Sequence, residues 1–421
     1  MRTLLVLAGL LALVSGGLAA AAGPQEFQLP SGLKCVLLEN HERPLVRLEL
    51  ITQWDPALEP SAGNGAAGFL FKVLETAGAG PYTRIVFNRR VDEMGLEFSF
   101  QGQVDRFRWS LVADSRSQET AFELLAHAVF RPVFEGPEIQ EQRQLLVRKA
   151  TVASPWEVAV DRFRMELGDP RVTSAGMALA KIELKDLQDL HKRLVRPEHA
   201  SLGLYGDLSL AQAKQLAFLH LGVWGPGPAP ASPPAPPRMA VETGFRVLMQ
   251  AGLRAELWAG AKRPPEGLKP GIEALLAILL DQRSEAPAGP LEVEIFLVPR
   301  GPVLFHWVAA ATNRDALVPS LVAALTRLRS QGVTPEGLER ARLRWKAENT
   351  ALALHPQRLL SQALQGDRTA EVEAVTLQEL NAAVAAWLAP GNLHYLLLGA
   401  DADLVKAAQN AGLGAPLLIQ P

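Results

Sequence analysis

The chain of 421 residues has one cysteine, Cys35, so it can form no internal disulfide and depends on a buried core. Cys35 itself, inside the strand-like run LKCVLLEN, is expected to be a small core residue. There is no excess of either charge: 42 lysines and arginines against 44 aspartates and glutamates give a formal net charge of −2. With no Lys/Arg run either, the electrostatic case for a nucleic-acid partner falls away. No apolar run after the first two dozen residues is long enough to span a membrane. There is no Gly-x-Ser-x-Gly elbow, no phosphate-binding glycine loop and no catalytic-cysteine signature. The eight histidines are His41, His127, His191, His199, His220, His306, His355 and His394, and no two have His-x-x-x-His spacing. No helix therefore offers two imidazoles on one face to a metal, and each histidine is expected at the surface or as a satisfied core residue.

The N-terminus is informative. Met1-Arg2, an apolar stretch and small residues before Pro24 have the form of a secretory signal peptide over 1–23, with cleavage near Ala20–Gly23. An uncleaved membrane anchor is the alternative. The expected location is the periplasm or the cell exterior. A proline-rich stretch, GPGPAPASPPAPPR at 225–238, favours extended polyproline II and cannot pair inside a sheet. Read as a linker, it divides the mature chain into 24–224 and 239–421.

The two parts echo each other. LKDLQDLHKRLVRPEHASLGLYGDL from Leu184 matches LQELNAAVAAWLAPGNLHYLLLGAD from Leu377 at a constant offset of 193. PEIQEQRQLLVRKA from Pro137 matches PEGLERARLRWKAE from Pro335 at an offset of 198. Two echoes in the same order point to an internal duplication. LKCVLLEN and LVRLELITQW are strand-like, and LEFSFQGQVDRFRWSLVA reads as a hairpin, with Phe98, Phe100, Phe107, Trp109 and Leu111 alternating around a polar turn. TAFELLAHAVF, IQEQRQLLVRKA and LKDLQDLHKRLV are helix-like. The predicted fold is α+β: two homologous domains, each a mainly antiparallel sheet with helices packed on one face.

The order of these pieces resembles the insulinase/pitrilysin family of zinc peptidases, in particular its short two-domain members. LPSGLKCVLLENHERPLVRLELITQ resembles the opening strand pair, and GNGAAGFLFKVLETAG lies where the zinc-binding helix follows. VDEMGLEFSFQGQVDRFRWSLVADS, FELLAHAVFRPVFEGPEIQEQRQLL and the repeated C-terminal segments continue the series to the end of the chain. The resemblance implies two sheets meeting as a clamshell around a chamber. Active members carry His-x-x-Glu-His, two histidines on one helix face binding zinc and a glutamate acting as general base, with a later glutamate completing the ligands.

Laid on this chain, the five positions are Gly68-Phe69-Leu70-Phe71-Lys72, and the later position, 77 residues past Lys72, is Lys149. Gly68 has no donor, Phe71 accepts no proton, and Lys72 and Lys149 are cations. A single positive charge ~4 Å from a divalent ion costs roughly 8 kcal/mol at an effective dielectric of about 20. The resemblance also implies an arginine and a tyrosine from the second domain that hold substrate. Arg283, after the helix-like GIEALLAILLDQR, is the candidate for the arginine, and no tyrosine lies near it, since only Tyr82, Tyr205 and Tyr395 exist.

The expected function is thus a non-catalytic subunit, not an enzyme on its own. It would pair with an active zinc peptidase of the same family as a heterodimer, or with itself as a homodimer, around a peptide substrate. No cofactor is expected in this chain, and zinc is expected in the partner. A stand-alone structural or peptide-binding protein is the alternative. An active peptidase with displaced ligands is a third reading.

Overall fold

The computed structural model describes residues 23–54, 66–103, 106–151, 154–167, 182–225, 245–249, 254–262, 268–280, 291–297, 302–353, 360, 364 and 368–419. Residues 1–22 of the apolar N-terminal stretch, Arg283, His355 and all of the proline-rich stretch beyond Gly225 lie outside them.

The first sheet is built from β1 (Gln25–Gln28), β2 (Lys34–Glu39), β3 (Leu45–Gln53), β4 (Glu97–Gln103), β5 (Arg106–Asp114) and β6 (Ala200–Gly206). The second uses β7 (Phe245–Met249), β8 (Arg254–Ala261), β9 (Leu291–Leu297), β10 (Val303–Ala310), β11 (Leu393–Ala400) and β12 (Pro416–Leu418). Their orders are β1-β2-β6-β3-β5-β4 and β9-β10-β8-β11-β7-β12. Reading one order backwards superimposes five strands in chain order, β2 to β6 on β7 to β11, with matching directions at every shared pair. In both sheets the pair that closes the repeat is parallel, β2 with β6 and β7 with β11, and the other shared pairs are antiparallel. The sixth place differs: an N-terminal strand fills it antiparallel in the first sheet, a C-terminal strand fills it parallel in the second. The predicted hairpin is β4–β5, with Gln103 opposite Arg106.

Period-two alternation decides which face is covered. In the first sheet Cys35, Leu37, Leu48, Leu50, Trp109, Leu111 and Leu202 point one way into a single core. Five helices of the same half pack there: α1 (Ala66–Thr76), α2 (Arg84–Glu93), α3 (Gln118–Phe130), α6 (Leu184–Leu194) and α7 (Leu210–Leu221), with α4 (Gly136–Thr151) against α1. Burial pushes the Cys35 thiol up to about 12, consistent with its expected place in the core. In the second sheet, α8 (Pro270–Leu280), α9 (Leu317–Gln331), α10 (Pro335–Ala353), α11 (Leu377–Trp387) and α12 (Ala402–Asn410) cover the equivalent face. The two-domain α+β fold read from the sequence is the fold observed.

The duplication reaches atomic detail at the glycines that end β6 and nearly end β11. Gly206 has φ 119° and Gly399 φ 67°. A Cβ on Gly206 would come within 1.9 Å of the Leu45 carbonyl oxygen, and one on Gly399 within 2.4 Å of the Arg254 carbonyl oxygen. Leu45 and Arg254 open the equivalent strands β3 and β8, so the same crossing of backbones requires glycine in both copies.

One helix departs from this symmetry of layers. α5 (Pro155–Glu166) belongs by sequence to the first half, yet its buried residues Ala159 and Phe163 pack with Leu248, Leu304, Leu396 and Leu398, on the face of the second sheet turned away from that sheet's own helices.

Candidate functional site

Helix α1 carries the sequence GFLFK. Its apolar side is anchored: Phe69 and Leu70 have no exposure, Val73 has 2%, and the Arg143 guanidinium of α4 lies 5.6 Å over the Phe69 ring. Helical geometry then puts Gly68, Phe71, Lys72 and Glu75 together on the other side, where the first three are half-buried and Glu75 is exposed. Lys72 turns to the acid one turn along the helix. Its ammonium donates to Glu75 Oε2 at 2.8 Å and sits 4.7 Å from the centre of the Phe71 ring. Both charged groups are more than a third exposed, so this pair adds at most a few tenths of a kcal/mol.

Phe71 does more. Its ring lies 5.5 Å from that of Phe100 and directly on Gly102, where a Cβ would come within 2.1 Å of it. Phe100 and Gly102 are on β4, the edge strand of the first sheet. The side chain at the position expected for a general base therefore braces a helix against the sheet edge. This partnership was not drawn from the sequence, although an isolated glycine inside an alternating strand is the usual sign of a close approach. Below it, a cavity of about 180 Å³ opens between α1, α2 and β4, lined by Glu75, Arg84, Asn88, Ser99, Phe98 and Phe100 among others.

Chemically this face has a hydrogen, a phenyl ring and an ammonium group. None is a lone-pair donor to a metal at neutral pH, so Gly68, Phe71 and Lys72 do not fit a zinc ion. Lys149 lies in the last turn of α4, which packs on α1, and its side chain is outside the described residues. Among the described residues no three His, Cys, Asp or Glu side chains gather as a metal site. Arg283, the candidate for substrate contact, falls outside the described residues.

Three of the described histidines sit in quite different surroundings. His41 is exposed between Glu39 (2.8 Å) and Asp207 (2.7 Å), whose carboxylates raise its pKa. His191 is buried beside Phe134, and burial pushes its pKa down to about 4. His306 stacks on Trp258 with ring centres 3.9 Å apart, and its Nε2 meets Glu256 Oε2 at 2.9 Å. Burial alone would raise the Glu256 carboxyl. The hydrogen bond and charge of His306, with the Trp258 indole N–H at 3.1 Å and Arg254, outweigh it and hold Glu256 at about 2. This buried cluster satisfies the face of the second sheet beside α5 and is well removed by sequence and sheet from the GFLFK helix.

A comparison with protein families finds none that matches, and no curated protein matches either. Solved structures do. A protease from Helicobacter pylori superposes with a TM-score of 0.70 at 15% identity, covering 89% of this chain and 99% of that one. A peptidase M16 inactive domain from Pseudomonas fluorescens gives 0.71 at 16% identity, covering 90% and 99%. The periplasmic protease PqqL from Escherichia coli gives 0.73 at 12% identity, covering 90% of this chain and 46% of the larger protein. At these identities the likeness is one of fold, and the chain has the fold of the M16 peptidases.

Proposed function

We propose that this chain is a non-catalytic member of the insulinase/pitrilysin (M16) family, which pairs with an active zinc peptidase to complete a peptide-processing chamber. The observation that carries the reading is the outward side of α1: Gly68, Phe71 and Lys72 stand where the resemblance expects two ligands and a base, and Phe71 is committed to packing on Gly102. Likeness in fold to a protein described as a peptidase M16 inactive domain supports it. The partner supplies the zinc and the base. This chain supplies walls and the open edge of β4, to which an extended peptide can add as a further strand. Export fits the form of the leader, and one structural neighbour is named as periplasmic. No described helix is long and apolar enough to cross a membrane.

The test is co-expression with a homologue that retains His-x-x-Glu-His. The expected result is a stable heterodimer that cleaves peptides and holds one zinc, contributed by the homologue, while this chain alone purifies without stoichiometric zinc. Clean monomers of both chains across the micromolar range would overturn the pairing. Peptide binding by this chain alone, as monomer or homodimer, would favour the stand-alone peptide-binding reading.

A further inference from the structure

We infer that the cavity between α1, α2 and β4 is a pocket for a peptide carboxylate, so that this chain selects acidic peptides. The inference rests on the reading that an extended peptide adds to the open edge of β4. The lining is rich in hydrogen-bond donors. Arg84 and Asn88 stand one turn apart on α2 and so share a face of that helix, Ser99 comes from β4, and Trp109 comes from β5. Arg84 is half-buried, and its guanidinium has no hydrogen bond or ion pair among the described residues. The side chains of Asn88 and Ser99 have none there either. Trp109 is 2% exposed, and its indole N–H has no acceptor among the described residues. A buried N–H without a partner is costly, and a bound acceptor relieves that cost.

The charges select an anion. Among the described lining residues Glu75 is the one acid and Arg84 the one base. Glu75 is already answered by the Lys72 ammonium at 2.8 Å, which leaves the Arg84 charge unmatched at the cavity. Glu138 of α4 feels that charge without forming an ion pair with it. A guanidinium offers two N–H groups in one plane to a carboxylate, and hydrogen bonds of this kind are charge-assisted. The volume of about 180 Å³ has room for one aspartate or glutamate side chain between the aromatic walls and is too small for a drug-sized ligand. A strand laid along β4 turns every second side chain to this face of the sheet, so an acidic residue there reaches the donors. A peptide that ends at the cavity presents its terminal carboxylate to the same groups.

The experiment measures peptide binding by fluorescence anisotropy, on the purified chain and on its complex with the homologue after chelation has removed the zinc. One set of labelled, end-blocked peptides steps a single glutamate along a neutral strand-forming sequence. A second set has glutamine in its place, and one acid-free peptide keeps its terminal carboxylate. At least one glutamate position is expected to bind about tenfold tighter than its glutamine counterpart, with the gain shrinking as salt is raised. A gain confined to the peptide with the free terminus supports the pocket and identifies its carboxylate as terminal. Arg84→Gln is expected to bring the glutamate and glutamine peptides to the same affinity, and Arg84→Lys to keep part of the difference. Asn88→Leu, at an exposed position, is expected to narrow the difference and decides the matter if Arg84→Gln fails to accumulate. Equal binding of all the peptides overturns this inference and leaves strand addition at β4 standing. Binding of none, in either form of the protein, overturns both. Discrimination that survives Arg84→Gln places the carboxylate elsewhere and also overturns the inference.

Discussion

At Lys72 the local chemistry is sufficient to predict how the helix answers substitution. Lys72→His adds one imidazole beside Gly68 and Phe71, neither of which can share a metal, so no stoichiometric zinc is expected by metal analysis of the purified variant. The neighbouring contact is more consequential for stability. Gly102→Ala forces a methyl group into the Phe71 ring, and overpacking of this kind costs about 1–3 kcal/mol, read as a lower urea midpoint. In the double variant Phe71→Ala/Gly102→Ala the ring is gone, so the combined cost is expected to be well below the sum of the two single costs. His191 gives a pH dependence. Its folded pKa of about 4 lies below the unfolded value of about 6.5, so the unfolded chain binds the proton more readily. The stability from burying it neutral is fully present above pH 6.5 and is lost as pH falls toward 4, by about 3 kcal/mol in all. His191→Phe, compared with the unsubstituted chain in urea at pH 7.5 and pH 4.5, is expected to show the smaller fall.

At the scale of elements, what could be read from the sequence was whatever a single element states about itself. The alternation of Phe107, Trp109 and Leu111 named a strand and its buried face, and those three are at most 2% exposed. The repeated strand-to-glycine ending was visible at Gly206 and Gly399, but not its reason, which is a carbonyl of a neighbouring strand distant in sequence. Equally, Trp156, Ala159, Val160, Phe163 and Leu167 have helical spacing, while nothing in that spacing says that the surface they cover belongs to the other half. The GFLFK positions were legible as lacking donors; the role of Phe71 was not, because Gly102 lies across a tertiary contact. The glycine pair supports a graded prediction. Gly412 has φ 82° with nothing near its missing Cβ, so Gly412→Ala carries only backbone strain, about 1–2 kcal/mol. Gly206→Ala and Gly399→Ala add a collision with a strand carbonyl to the same strain, and each is expected to exceed Gly412→Ala in loss of thermal stability.

At the scale of the whole molecule, the contacts that cross between the halves set how the chain unfolds. Two cores of similar size, one under each sheet, would melt separately if only a proline-rich connection joined them. Here α5 lies on the reverse of the second sheet and Leu360, from the second half, lies against Gly203 of the first, so losing either fold strands apolar side chains in water. A buried Phe or Leu side chain contributes about 1.5–3 kcal/mol, so Phe163, Leu167 and Leu360, all buried, together represent a coupling comparable to the marginal stability of a domain. Coupling of that size merges two transitions into one. Calorimetry of the intact chain is therefore expected to give a single endotherm with calorimetric and van't Hoff enthalpies in agreement. Phe163→Ala removes a fully buried ring at a cost of about 3–5 kcal/mol, most of it from the contact between halves rather than from either core. The endotherm of that variant is expected to broaden or split, with the calorimetric enthalpy exceeding the van't Hoff value. A uniformly shifted but still two-state endotherm would place Phe163 inside an ordinary core and leave the halves coupled by some other contact.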